Sequence, residues 1–203
     1  MKNCICLNGV KIELTPEQVA AIGEACDTTP EEKTSGAELA TLPVGATFTH
    51  CGHEFIVLEH KEDGITVVCF KGFVKESVEF GDNNCYEGSN VDEICCELAK
   101  KITDTVEFEL DLTSDDGLDD YGTVSRAVAL MTVDMYRKYV RILDKHKISK
   151  WWWLATPWST RTHNNTDFVK CVSPSGYLGC NGCSIINGGV RPFCILKSNI
   201  FVS

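Results

Sequence analysis

The chain has 203 residues, 43% hydrophobic and 24% charged, with a formal net charge of -10. That length suits one domain, or one domain with an appendage, and the apolar content suffices for a packed core. An acidic balance counts against nucleic-acid binding, which needs a basic face to neutralise phosphates, and favours solubility.

The opening Met1-Lys2-Asn3-Cys4-Ile5-Cys6-Leu7 is too short an apolar run for a signal peptide and lacks a small-residue cleavage site. No stretch approaches the ~20 apolar residues that cross a bilayer, so no membrane insertion is expected. Synthesis and folding in a cytosol follow. There the 12 cysteines read as reduced thiols rather than a disulfide framework. Cys69, Cys95 and Cys194 lie in apolar runs and read as small core residues.

In chain order, Cys4–Leu7 and Val10–Leu14 around Asn8-Gly9 predict a hairpin, because both turn positions need positive φ. Thr15-Pro16-Glu17-Gln18 opens a helix with a cap, a first-turn proline and a capping box, running to about Cys26. Residues 27–41, rich in Thr, Glu, Pro and Gly, read as a linker. The expected division is therefore an N-terminal appendage over 1–41 and a main domain over 42–203. Phe55–Leu58 and Ile65–Phe70 flank the turn Glu62-Asp63-Gly64 and predict a second hairpin. Asn90–Glu93 can cap a helix to about Lys101 with Ile94, Leu98 and Ile102 on one face. Val106, Phe108, Leu110 and Leu112 alternate with polar residues, as a strand does. Thr132 can cap a helix carrying Met135, Tyr136, Tyr139, Val140 and Leu143, with a basic end. Beyond it, Trp151–Leu154, Phe168–Val172, Phe193–Leu196 and Ile200–Val202 are short strand candidates between Gly, Asn, Ser and Pro. The expected class is α+β, with a mixed or antiparallel sheet, about three helices and a loop-rich C-terminal third.

Few residues suggest catalysis. Cys180-Asn181-Gly182-Cys183 has zinc-knuckle spacing, but only the doubtful Cys51-Gly52-His53 offers a second pair, so loop and core thiols are the expected reading and no metal is assigned. Asp115-Asp116-Gly117-Leu118-Asp119-Asp120 lacks the ligand alternation and terminal Glu of a calcium loop and reads as a solvated acidic turn. There is no nucleophile elbow and no phosphate-cradling glycine loop, so the chain reads as a binding protein without cofactor. A cysteine- or zinc-dependent enzyme is the weaker alternative.

All 4 tryptophans fall between Trp151 and Trp158. In a strand, Trp151 and Trp153 share one face and Trp152 takes the other. Trp158 follows Pro157 and precedes a polar stretch, Ser159–Asp167, so it is the tryptophan placed for binding.

Trp152-Trp153-Leu154-x-x-Pro157, Val172-x-x-x-Gly176 and Gly188-Gly189-Val190-Arg191-Pro192 before a last apolar strand resemble a phage and prophage domain. That domain is similar to the C-type-lectin-fold variable proteins diversified by retroelements. Leu42-Pro43-Val44-Gly45 and Leu112–Gly117 extend the resemblance over roughly residues 42 to 203. It implies a C-type-lectin-like fold whose C-terminal side chains, about 151–192, vary and bind. Variable roles fall on Thr160, Arg161, His163, Asn164, Asn165, Asp167, Tyr177, Cys180, Asn181, Cys183, Ile185, Ile186 and Asn187, beside Trp158. Pro157, Gly176, Gly189, Val190, Arg191 and Pro192 would be scaffold, with the Arg191 donors tying loops together. The resemblance implies mutation at the adenines of Asn codons, whose products exclude Trp, Lys, Met, Glu and Gln, and none of these occurs from Ser173 to Asn187. The chain departs from the family at Ala155-Thr156, where Arg-Ser is commoner, and it lacks the calcium-dependent sugar motifs of animal lectins.

The resemblance further implies a protein or glycan ligand on a host or target surface. It also implies manufacture in a bacterial cytoplasm with display on a virion tail or cell surface; the N-terminal hairpin and helix, residues 1–26, would then attach the protein to a partner or mediate homo-oligomerisation, which would add avidity. An undiversified structural component of a phage particle is the second reading.

Overall fold

The computed structural model describes residues 4–7, 10–13, 15 and 36–203. The chain divides into two compact units, residues 1–35 and 36–203. In the first, β1 (Cys4–Leu7) and β2 (Val10–Glu13) pair antiparallel, with Leu7 opposite Val10. The Asn8-Gly9 turn, the helix expected from Pro16 to Cys26 and the linker up to residue 35 lie outside the described residues.

The second unit is mixed α+β and mostly sheet. An antiparallel sheet has the order β10 (Val128–Leu130), β15 (Pro192–Lys197), β6 (Ile65–Phe70), β5 (His53–His60), β4 (Thr47–His50). A mixed sheet has the order β13 (Leu178–Gly182), β12 (Phe168–Val172), β11 (Trp152–Pro157), β14 (Gly188–Val190), β7 (Lys75–Val78). Two short pairs complete it: β8 (Phe108–Asp111) with β9 (Thr123–Arg126), and β3 (Ala37–Glu38) with β16 (Phe201–Val202). That last pair places residues 36–41, read from sequence as linker, inside the larger unit. Among the described residues there are two α-helices, α1 (Asn90–Ala99) and α2 (Val133–Leu143), where about three were expected.

Local chemistry explains both helices. The Ser89 hydroxyl accepts the Asp92 N–H at the start of α1, one residue upstream of the expected cap. Asp92 then takes two hydrogen bonds from Arg126, at 2.8 and 2.7 Å, joining α1 to β9. Thr132 caps α2 by accepting the Met135 N–H. The spacing of Val133, Tyr136, Tyr139 and Leu143 buries one stripe of α2. Thr156 accepts the Val133 N–H at 2.9 Å and ties β11 to α2.

β11 is buried along its whole length because the second sheet is covered on both faces there. Trp153 is fully buried and donates its indole N–H to Val78 at 2.8 Å. The glycines of β14 make this approach possible. A Cβ on Gly188 would lie 2.2 Å from the Trp153 indole, and one on Gly189 would lie 2.4 Å from the Phe73 ring. Arg191 follows them, buried, with donors to the carbonyls of Phe70, Lys71 and His146 and its guanidinium 5.5 Å from the Trp152 ring centre. One side chain thus ties the end of β6 to the segment after α2, and neutral carbonyls take the place of a carboxylate.

Candidate binding surface

The polar loop between β11 and β12 is fixed by residues far away in sequence. Asn84 is fully buried, and its side-chain N–H₂ donates to the carbonyls of Ser159 and Phe168 at 2.9 and 2.8 Å. Its backbone N–H donates to Thr166 and its Oδ1 accepts the Tyr121 hydroxyl. The two stems of the loop are therefore pinned through main-chain atoms.

The acidic segment between β8 and β9 holds the other side. It folds on itself through Ser114, whose hydroxyl accepts the Leu118 N–H. Asp116 accepts hydrogen bonds from Ser114 and Ser159 and lies 2.8 Å from His163 Nδ1. The Ser114 and Ser159 hydroxyls, then His163, lower its carboxyl to about 2. Asp120 accepts from the hydroxyls of Thr160 and Thr162 and from the Thr162 N–H. The Thr160 hydroxyl, then Thr162, holds its carboxyl below the ordinary value. The segment expected to be a solvated turn is thus the buttress of the loop. Among the described residues, no group of three or more His, Cys, Asp or Glu is placed to hold a metal ion.

Lys170 links this buttress to Trp158. It is buried on β12, donates to Asp115 at 2.9 Å and lies 4.8 Å from the Trp158 ring centre. Trp158 itself is 41% exposed. Its backbone N–H donates to the Phe168 carbonyl at 3.0 Å, and Phe168 is also exposed. Across β12 and β13, Phe168 stands opposite Gly182, and Ile185 lies 3.5 Å from where a Gly182 Cβ would be. Trp158, Phe168 and Ile185 therefore form one exposed apolar group beside the loop, with Cys180 opposite Lys170 on the same face.

Tyr177 goes elsewhere. Strand alternation turns Gly179 and Cys171 to the opposite face. There Trp151 covers Gly179, and Tyr177 meets Trp151 edge-on at 5.4 Å between ring centres. Asn181 and Asn187 join this second patch through a 3.0 Å hydrogen bond. The structure does not bring Trp158 and Tyr177 into one patch.

Within the loop, Arg161, His163, Asn164 and Asp167 are exposed, and Asn165 is half-buried. Asn164 adopts φ 52, a left-handed conformation that Asn tolerates. Two residues expected at the surface are not there. Thr160 is fully buried because its hydroxyl is committed to Asp120. Cys183 is buried under the loop, its N–H donating to Asp167, and desolvation pushes its thiol up to about 12. Ile186, at 65% exposure, and Asn187 are surface residues. Of the residues read as scaffold, Pro157, Gly189, Val190, Arg191 and Pro192 are buried. Gly176 has φ +94, and a Cβ there would lie 2.6 Å from the Asp144 carboxylate.

Phe168, Asn84 and Lys170 were not singled out from sequence. Phe168 carried a usable signal: it is the first residue of a strand directly after a polar loop, out of phase with buried Val169. Asn84 carried none, since Asp82-Asn83-Asn84 reads as any polar loop. No protein-family model, curated protein or solved structure matches the chain.

Proposed function

We propose that this is a ligand-recognition protein whose binding surface is Trp158, Phe168 and Ile185 together with the exposed side chains of the adjoining loop. The observation that carries this reading is the exposure of three large apolar side chains beside a loop whose backbone is pinned from outside. Of the seven large apolar residues exposed among the described ones, five lie between Trp158 and Ile186, so exposure concentrates in this segment. Stiff aromatic groups next to short polar side chains make contact area at low entropic cost.

On this reading the chain is a retroelement-diversified variable protein of phage or prophage type with a C-type-lectin-like domain. It is displayed on a virion or cell surface and binds a protein or glycan. Support comes from the resemblance of its C-terminal motifs, and from a loop stem held through carbonyls that any replacement residue also possesses.

Two experiments test it. Sequencing the DNA around the gene is expected to reveal a reverse-transcriptase gene and an imperfect copy of the 3′ end that differs only at adenines. A fixed 3′ end without such a copy removes diversification. Randomising Arg161, Asn164, Asp167, Ile185, Ile186 and Asn187 together is expected to leave most variants folded, as read by thermal melting. General unfolding would return these residues to a packing role.

A further inference from the structure

A second site lies between β7 and α1. Asn90 donates to the Glu79 carboxylate at 3.3 Å, and the Val91 N–H to the Phe80 carbonyl at 3.4 Å, so the two elements meet at that end. From the junction, β7 leads back to Lys75 while α1 leads forward to Lys101. The space between them is a cleft of about 720 Å³. Its walls carry Val74, Val78, Ile94, Leu98 and Ile186. Ile94 is only half-buried and Ile186 is 65% exposed, so this apolar lining is incompletely covered.

The charges on the rim are sorted by position. By chain order, Glu79 and Glu93 lie near Asn90 at the junction, Glu97 a turn further along α1, and Lys75 and Lys101 at the ends away from it, while His53 also lines the cleft. The Glu97 charge is matched by Lys100 on its own helix. From Asn90 to Lys101 the lining spans about 16 Å at the rise of an α-helix, the length of roughly five residues of extended chain.

We propose that this cleft binds a short extended segment of a partner protein, with a basic residue at the Glu79–Glu93 end, apolar side chains over Ile94 and an acidic group at the Lys75–Lys101 end. Volume alone fits many ligands. The length of the cleft and its opposed charges select a polypeptide with separated charges over a compact apolar molecule. The cleft shares Ile186 with the segment randomised above but none of Trp158, Phe168 or Ile185, so neither proposal depends on the other.

Fluorescein-labelled pentapeptides Arg-Leu-Val-Leu-Glu, Arg-Ser-Ser-Ser-Glu, Glu-Leu-Val-Leu-Glu and Arg-Leu-Val-Leu-Arg, titrated with the full chain, test this by anisotropy. The first is expected to bind at least about tenfold more tightly than the serine peptide, and more tightly than either peptide with like charges at both ends. Ile94→Ser is expected to weaken it about tenfold, and Glu93→Gln or Lys101→Gln about threefold each. The double change Glu62→Gln/Asp63→Asn, on the exposed β5–β6 turn, serves as the charge control and is expected to change nothing. The proposal is overturned by absent binding up to about 1 mM peptide, by equal affinity for the serine peptide, or by an Ile94→Ser protein of unchanged Tm that binds as tightly.

Discussion

The Lys170 ammonium sits 4.8 Å from the centre of the Trp158 ring while it donates a hydrogen bond to Asp115. A half-exposed indole is thereby held by a buried cation, and that cation by a carboxylate of the acidic segment. Lys170→Met keeps the stem and removes the charge. It is expected to cost about 2 kcal/mol in urea unfolding and to make Trp158 more accessible to acrylamide quenching. Adding Asp115→Asn should cost less than the two single changes summed, since the lone buried charge is gone.

Asp116 gives the loop an acid dependence. Its carboxyl lies near 2 in the fold against 3.8 ordinarily, because hydroxyls and His163 favour the charged form. A lowered pKa stabilises fully above the unfolded value and is lost as pH falls through the folded one. The stability gap between the native protein and Asp116→Asn should be constant above about pH 5 and close between about pH 4 and pH 2. Urea midpoints across that range measure it; a gap that widens towards acid contradicts the assignment.

Asn84→Ala strips partners from the carbonyls of Ser159 and Phe168 and from the Tyr121 hydroxyl. Buried polar groups left unpaired are costly, and a loss of about 3 kcal/mol is expected. Amide exchange in residues 159–168 should rise more than in β5 or β6, which distinguishes loosening of the loop from general weakening.

Gly188→Ala and Gly189→Ala each push a methyl into an aromatic ring, Trp153 and Phe73 respectively. The Trp153 ring is fully buried and has no room to retreat, so Gly188→Ala is expected to lose about 3 kcal/mol or fail to fold, whereas the half-buried Phe73 ring can shift and Gly189→Ala is expected to lose less, both read by soluble yield and Tm.

Trp158→Ala and Phe168→Ala should shift stability by no more than about 1 kcal/mol each, whereas Trp153→Ala should cost about 3–5 kcal/mol. Urea unfolding of the three variants checks this. A large loss at Trp158 would make it a packing residue and remove the proposed surface.

Strong periodic patterns were legible in the sequence. Phe168–Val172 is a strand with the expected bounds, and Thr132 caps α2 as its position before an apolar stripe suggests. Cys69, Cys95 and Cys194 are fully buried, as their apolar neighbours imply. β13 and β14 were not legible, because Leu-Gly-Cys-Asn-Gly and Gly-Gly-Val have no alternation. They are strands through pairing with β12, β11 and β7, which is information from distant parts of the chain. The same reason hid the roles of Thr160 and Cys183. Each looks like a loop residue locally and is buried only because the acidic segment or the loop itself folds over it. Trp158 and Tyr177, both aromatic and near in sequence, read as one site, but the pleat of β12 and β13 separates them.

Asn84 grips the loop stem by carbonyls of Ser159, Thr166 and Phe168, and every amino acid carries a carbonyl. The codon for Asn84, like those for the acidic segment, lies upstream of the whole stretch from Trp151 to Pro192. Any copying error confined to the 3′ end of the gene would thus rewrite what the loop displays while leaving untouched the instructions for much of what holds its stem. The grip and what it holds touch in space but are separate in heredity.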